Sequence, residues 1–155
     1  MDKIYEIDKL DREILGILMK DAKIPYTDIA KRLIVSPGTI HVRMKRMERL
    51  GIVRGATLII DPARIGYDMT AFVGIYLVKG SAYSQVVKEI DSIPEIIEAH
   101  FTTGEYSIFA KVVCKNTGHL REVINDKLQP INGVSRTETI ISLGESIKKQ
   151  VPIGP

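Results

Sequence analysis

Nine residues between Ser36 and Arg49 are of types that can bind a polyanion and read its edges: Ser36, Gly38, Thr39, His41, Val42, Arg43, Lys45, Arg46 and Arg49. Hydroxyl and imidazole groups hydrogen-bond base edges, a valine methyl meets a thymine methyl, and lysine and arginine neutralise phosphates. At about 100° per residue, Ile40, Met44, Met47 and Leu50 share one stripe, while Gly38, His41, Val42, Lys45 and Arg49 face the other way with Arg46 beside them. Ser36 can cap such a helix, Pro37 suits its first position, and Gly51 can close it in a left-handed conformation. One capped helix is predicted, with a basic outer face opposed only by Glu48. That face is either solvated or laid in a DNA groove, and its context must decide. In the second case Gly38 allows close backbone approach, and Thr39, His41 and Val42 lie near the start for base edges. Lys45, Arg46 and Arg49 meet phosphates. Arg43, at the edge of the apolar stripe, packs its stem and sends its head to the DNA backbone or a neighbour.

The elements around this helix support the groove reading. Asp8 is a candidate N-cap for a first helix whose apolar residues are Leu10, Ile14, Ile17 and Leu18, ending near Met19. Asp21 to Pro25 suits a turn, and Thr27 is expected to cap a short second helix with Ile29, Ala30 and Leu33 inward. Three short helices, the last two close together, match the helix-turn-helix arrangement. Beyond Gly51, the β-branched Ile52, Val53, Ile59 and Ile60, with Leu58, predict a strand or two, giving a winged-helix-like unit. Charge agrees: residues 1–60 carry twelve Lys and Arg against eight Asp and Glu, whereas the remainder carries ten against eleven. The excess is concentrated where a nucleic-acid contact would be.

Asp61-Pro62 and Gly66 punctuate the chain, so residues 1–60 are read as one domain, 61–66 as a linker and 67–155 as a second domain. In the second, strand-like stretches at 71–78, 96–103, 107–114 and 134–143 alternate with helix-like stretches at 82–90 and 118–128. The order is βαββαβ, a ferredoxin-like split unit, and the whole chain is α+β. Ala71 to Gly80 aligns with Ser107 to Asn116 at an offset of 36 residues, as if one βαβ unit were used twice. Apolar residues on both faces of the first and third strands imply that the face without helices is covered too, by another subunit. Thr102 to Ser107 reads locally as a hairpin turn in which Gly104 supplies positive φ.

Several functions are disfavoured. His41, His100 and His119 fall in separate elements, and no Ser-His-Asp, HExxH or glycine-rich phosphate signature is present, so neither a catalytic residue nor a metal ligand set is assigned. Cys114, the single cysteine, is expected to be a buried strand residue. The N-terminal stretch lacks a basic region followed by an apolar run, and no apolar stretch is long enough to span a membrane, so a cytoplasmic protein with no membrane partner is expected.

The runs VSPGTIHVRMKRMERLGIVRGA, TTGEYSIFAKV and RTETIISL, in this order, resemble the Lrp/AsnC family of feast/famine transcriptional regulators, most nearly its asparagine-responsive AsnC branch. The resemblance runs from about Ile7 to Leu143. It implies a regulator of amino-acid metabolism that binds double-stranded DNA, forms homodimers through its sheets, assembles to an octamer and takes a free amino acid, asparagine in this branch, between dimers. It carries no other cofactor. The resemblance places the effector at Thr102, Thr103, Gly104, Glu105, Tyr106 and Ser107; turn amides can hold an α-carboxylate and hydroxyls an amide side chain. Ser107 stands where some members carry aspartate, which points to an amide or neutral effector. The family usually has glycine where this chain has Ile34, so a strained or altered turn is expected there. An architectural DNA-coating protein, or a small-molecule sensor or enzyme on the ferredoxin-like fold, is the competing reading.

Overall fold

The computed structural model describes residues 6–79 and 83–153. They divide into two compact units, Met1–Ile59 with Lys149–Pro155, and Ile60–Lys148. The C-terminal residues, expected with the second domain, thus group with the first unit.

In the first unit, helices α1 (Lys9–Leu18), α2 (Tyr26–Leu33) and α3 (Pro37–Arg49) enclose a core of Ile14, Leu15, Ile29, Ala30, Ile40, Met44 and Met47. Asp8 caps α1 through a reciprocal box: its carboxylate accepts from Asp11 N at 2.9 Å, and Asp11 accepts from Asp8 N at 3.3 Å. Helix α2 starts differently from expectation, because Pro25 is its N-cap and Thr27 lies exposed inside the first turn. Proline's fixed φ, here −62°, sets the entry angle without a side-chain cap. Ala30 is fully buried in the core that α2 shares with α3. Ile34, at φ 55° and ψ 49°, is the left-handed C-cap of α2, with its side chain 92% exposed. It carries the strain expected of a β-branched residue there, and no burial offsets that strain. Ser36 caps α3, and Gly51 follows its end at φ 72°.

The strands expected after Gly51 do not form: residues 53–61 are irregular. β-Propensity alone cannot make a strand without a ladder partner. Ile52 and Val53 instead pack on the three-helix core, while Leu58, Ile59 and Ile60 stay exposed.

In the second unit, a 3₁₀ turn at Pro62–Ile65 leads to β1 (Met69–Leu77), α4 (Tyr83–Asp91), β2 (Ile96–Phe101), β3 (Ile108–Cys114), α5 (Thr117–Glu122) and β4 (Val134–Ile141). The first residue expected in α4, Ala82, and Gly80 of the internal repeat lie outside the described residues. Helix α5 continues as a π-helical turn, Val123–Leu128, completing the helical stretch expected there. The sheet order β2-β3-β1-β4, antiparallel throughout, is the ferredoxin-like one. Val73, Ile75, Ile108 and Val112 meet Val86, Ile90, Val123 and Leu128 from the helical elements in one core. Cys114 is buried among them, and that burial, reinforced by the charge of Glu95, pushes its thiol up to about 11. The alternate side chains, Phe72, Tyr76 and Phe109, are half-buried on the other face.

Candidate nucleic-acid interface and ligand hairpin

On α3 the apolar stripe is buried, and Gly38, His41, Val42, Lys45 and Arg49 are all exposed on the opposite face. Val42 is 67% exposed and belongs to neither apolar core among the described residues. The His41 ring lies 6.1 Å from that of Tyr26, at the start of α2. Thr39 is more engaged than expected for a base contact. It is half-buried, its amide donates to Ser36 Oγ at 3.1 Å, and its hydroxyl lies 2.9 Å from the same oxygen. Ser36 and Thr39 therefore cap the helix.

Lys45, Arg46 and Arg49, expected to meet phosphates, and Arg43, expected to send its head to the DNA backbone or a neighbour, divide into two pairs. Arg43 turns inward, its Nη1 donating to Asp8 at 2.5 Å and to Asp11 at 2.8 Å, and Arg46 donates to Asp11 at 3.4 Å. Asp11 is completely buried. The hydrogen bond from Arg43 holds the Asp8 carboxyl below its ordinary value, and both aspartates hold the Arg43 guanidinium above its own. Arg43 thus ties α3 to α1. Lys45 and Arg49 have no ion-pair partner among the described residues and remain available for phosphates.

The second candidate site is the turn between β2 and β3. Thr102 N donates to Ser107 O at 3.2 Å, the Thr102 hydroxyl donates to Tyr106 O, and Ser107 N donates to Ile75 O at 3.0 Å. Among the described residues, the amides of Thr103, Gly104, Glu105 and Tyr106 find no acceptor. Gly104 is not left-handed, contrary to the turn reading. No atom of the described residues lies within 4 Å of the place its Cβ would take. Thr103, Gly104 and Glu105 are exposed, while Thr102, Tyr106 and Ser107 are half-buried.

Comparison with known proteins finds a DNA-binding domain and a ligand-binding domain in the chain. Residues 7–54 match the winged helix-turn-helix DNA-binding family, and residues 70–152 match the Lrp/AsnC ligand binding domain. The chain is 43% identical to regulatory protein AsnC of Haemophilus influenzae over 148 residues, covering 96% of this chain and 99% of that one. It is 42% identical to regulatory protein AsnC of Escherichia coli K12, covering 95% and 97%. The solved structure of Escherichia coli AsnC superposes with a TM-score of 0.90 at 41% identity, covering 95% of this chain and 99% of that one. The regulator NMB0573 of Neisseria meningitidis, solved as an L-Met complex, has the same fold, with a TM-score of 0.90 at 22% identity and coverage of 96% and 97%.

This chain belongs to the Lrp/AsnC family.

It is an AsnC-type transcriptional regulator, with a helix-turn-helix for DNA and a ligand-binding domain for an amino acid, and the relatives it matches are regulators rather than enzymes. Among the described residues of this regulator there is no helix long and apolar enough to cross a membrane. Three features escaped sequence reasoning. Asp11 reads as an ordinary polar residue of the first helical turn, yet it is the buried acceptor for α3. Only its place three residues after the Asp8 cap could have marked it. Glu95, 6% exposed, accepts from Lys127 Nζ at 2.6 Å and lies 3.1 Å from His119 Nε2. Burial pushes the Glu95 carboxyl up, but the hydrogen bonds from Lys127, a backbone amide and His119, with the Lys127 charge, together outweigh it and the net shift is downward. Gly74, third, lies under the ring of Tyr106.

Proposed function

We propose that this regulator recognises a specific double-stranded DNA site through the outward face of α3, in the cytoplasm, and responds to a free amino acid held at the Thr102–Ser107 hairpin. The observation that carries the effector reading is Gly104. Neither positive φ nor crowding among the described residues calls for glycine there, which leaves the exposed turn with its free amides open to a ligand. Those amides suit an α-carboxylate, Glu105 has the charge for an α-ammonium, and the hydroxyls of Thr103 and Ser107 suit an amide. The zwitterion is asparagine, as the names of the AsnC relatives and the neutral residue at position 107 suggest.

For DNA, His41 and Val42 read base edges, Gly38 admits the sugar-phosphate backbone, and Lys45, Arg49 and the free edge of Arg46 meet phosphates. Ser36 and Thr39 support this face by capping the helix, and Arg43 supports it as a strut to α1. A second copy covers the half-buried aromatic face of the sheet and the exposed residues Leu58 to Ile60, giving a homodimer that assembles to an octamer.

Selection of binding sites from a random DNA pool, followed by titration at two salt concentrations, tests the DNA reading. A defined site preferred by 10³-fold or more, roughly, is expected, whereas a ratio near one would make the protein an architectural coat. A thermal-shift screen of the twenty amino acids tests the effector, with asparagine expected to raise Tm. A shift with another amino acid alone would reassign the ligand, and sedimentation would give the subunit number.

A further inference from the structure

Gly74 is in the middle of β1, in regular strand conformation, and its Cα partners are Phe109 on β3 and Glu138 on β4. Glycine is disfavoured in strand interiors, and positive φ does not explain it here. A Cβ built on Gly74 would lie 2.3 Å from Tyr106 Cδ1, 2.5 Å from Cε1 and 2.7 Å from Cγ. The Tyr106 ring therefore rests on the bare backbone of β1. It is stacked on Phe109 at 5.8 Å and meets the edge of Tyr76 at 5.2 Å. The Tyr76 ring is itself held, with the Arg136 guanidinium 3.7 Å from its centroid and its hydroxyl donating to Glu138 at 3.3 Å. The seat is walled by three strands, and its floor is the absent side chain.

Tyr106 belongs to the hairpin with the free amides, and its carbonyl takes the Thr102 hydroxyl across the turn. Ser107, next along, is pinned to Ile75 O. Fixing the Tyr106 ring therefore fixes the backbone immediately after Glu105. Carbon atoms in contact stand about 3.5–4.0 Å apart, so a methyl group at position 74 would have to lift the ring by roughly 1 Å or more. The amides would move with it.

We propose that Gly74 is a positioning residue for effector binding: it seats Tyr106 so that the 103–105 amides are held ready for an α-carboxylate. The proposal rests on the reading of the hairpin as the effector site. It differs from that reading in assigning affinity to a residue of β1 that itself offers no group to the ligand.

The test uses the full chain and the twenty L-amino acids as probes, the tightest binder being titrated calorimetrically into wild type, Gly74→Ala, Tyr106→Phe, Tyr106→Ala and the double variant Gly74→Ala/Tyr106→Ala. Thermal unfolding without ligand is measured in parallel. Tyr106→Phe keeps the ring on its seat and should bind clearly more tightly than Tyr106→Ala. Gly74→Ala and Tyr106→Ala should each weaken binding by about tenfold or more, the worth of one charge-assisted hydrogen bond. The double variant, relieved of the clash, should bind like Tyr106→Ala alone. Should Gly74→Ala not fold, the contrast between Tyr106→Phe and Tyr106→Ala decides. Wild-type affinity in Gly74→Ala or Tyr106→Ala, with only Tm lowered, would overturn the seat and leave the effector site standing. Failure of wild type to bind any of the twenty would overturn the effector site, and the seat with it.

Discussion

In the first unit, α3 is tied to α1 by fully buried Asp11, which accepts Arg43 Nη1 at 2.8 Å; in the second, the hairpin is tied to β1 by the Tyr106 ring, lying where a side chain at position 74 would be. One attachment is made by charge and the other by shape. They fail differently. A buried ion pair breaks when a partner is removed, because the remaining charge is stranded without water. A shape seat breaks when a single methyl group is added. On the proposed reading the helix offers its side chains to DNA, so it needs rigid orientation. The hairpin is proposed to offer its amides as well as its side chains, so the position of its backbone matters too.

The largest effect expected from this contrast is on Arg43. Arg43→Ala should destabilise the first unit by about 3–5 kcal/mol, read from denaturant unfolding, since Asp11 would keep only the 3.4 Å contact with Arg46 as an ion pair. A loss of DNA affinity at unchanged stability would instead make Arg43 a phosphate contact and dissolve the contrast. The second unit has a buried charge of its own in Glu95. Its folded-state pKa lies below the ordinary value of 4.5, so its contribution is full above that value and is lost as pH falls through the folded one. Glu95→Gln should cost about 1–3 kcal/mol at neutral pH and flatten the acid limb of the stability curve. An unchanged acid limb would mean that Glu95 is not what acid attacks.

Ile34→Gly removes left-handed strain from an exposed position and should stabilise the first unit by about 1 kcal/mol, the gain being reduced by the greater freedom of glycine in the unfolded chain. A loss would show that Ile34 makes a contact in the assembled protein. The smallest effect is electrostatic. With Arg43 turned inward, Lys45→Ala should weaken binding to every DNA sequence and reduce the slope of log K against log salt by about 0.9. His41→Ala and Val42→Ala should instead change which sequence is preferred. Uniform losses from all three would mean that α3 does not read bases.

Both units were legible in the sequence to different depths. The left-handed strain at Ile34 was legible only through the family resemblance, whereas the caps at Asp8 and Ser36 and the stripe of Ile40, Met44 and Met47 are local, because a helix writes its burial into its own period. The four sheet strands were legible for the same reason, from alternation on β3 and apolar runs elsewhere. What failed was non-local. Ile52, Val53 and Leu58 to Ile60 have strand character, but a strand exists only with a partner to pair with. Arg43 lies at the edge of the apolar stripe, where its head could go to DNA or to a neighbour, and only Asp11, thirty-two residues before it, decides between them. Gly74 reads as a weakness in a strand until Tyr106, thirty-two residues later, is seen resting on it.

The central claim is that an amino acid at the hairpin changes how the regulator engages DNA. Its most direct test is the affinity of the full chain for a DNA site selected from a random pool, measured with and without saturating amino acid, for wild type and Gly104→Ala. A Cβ at position 104 meets nothing among the described residues, so the variant should fold and bind DNA as wild type does without effector. The amino acid should shift wild-type affinity by roughly 5–150-fold, the usual range of coupling between sites, and leave Gly104→Ala unmoved. An equal shift in both proteins would place the effector elsewhere, and no shift in wild type with any of the twenty amino acids would contradict the account.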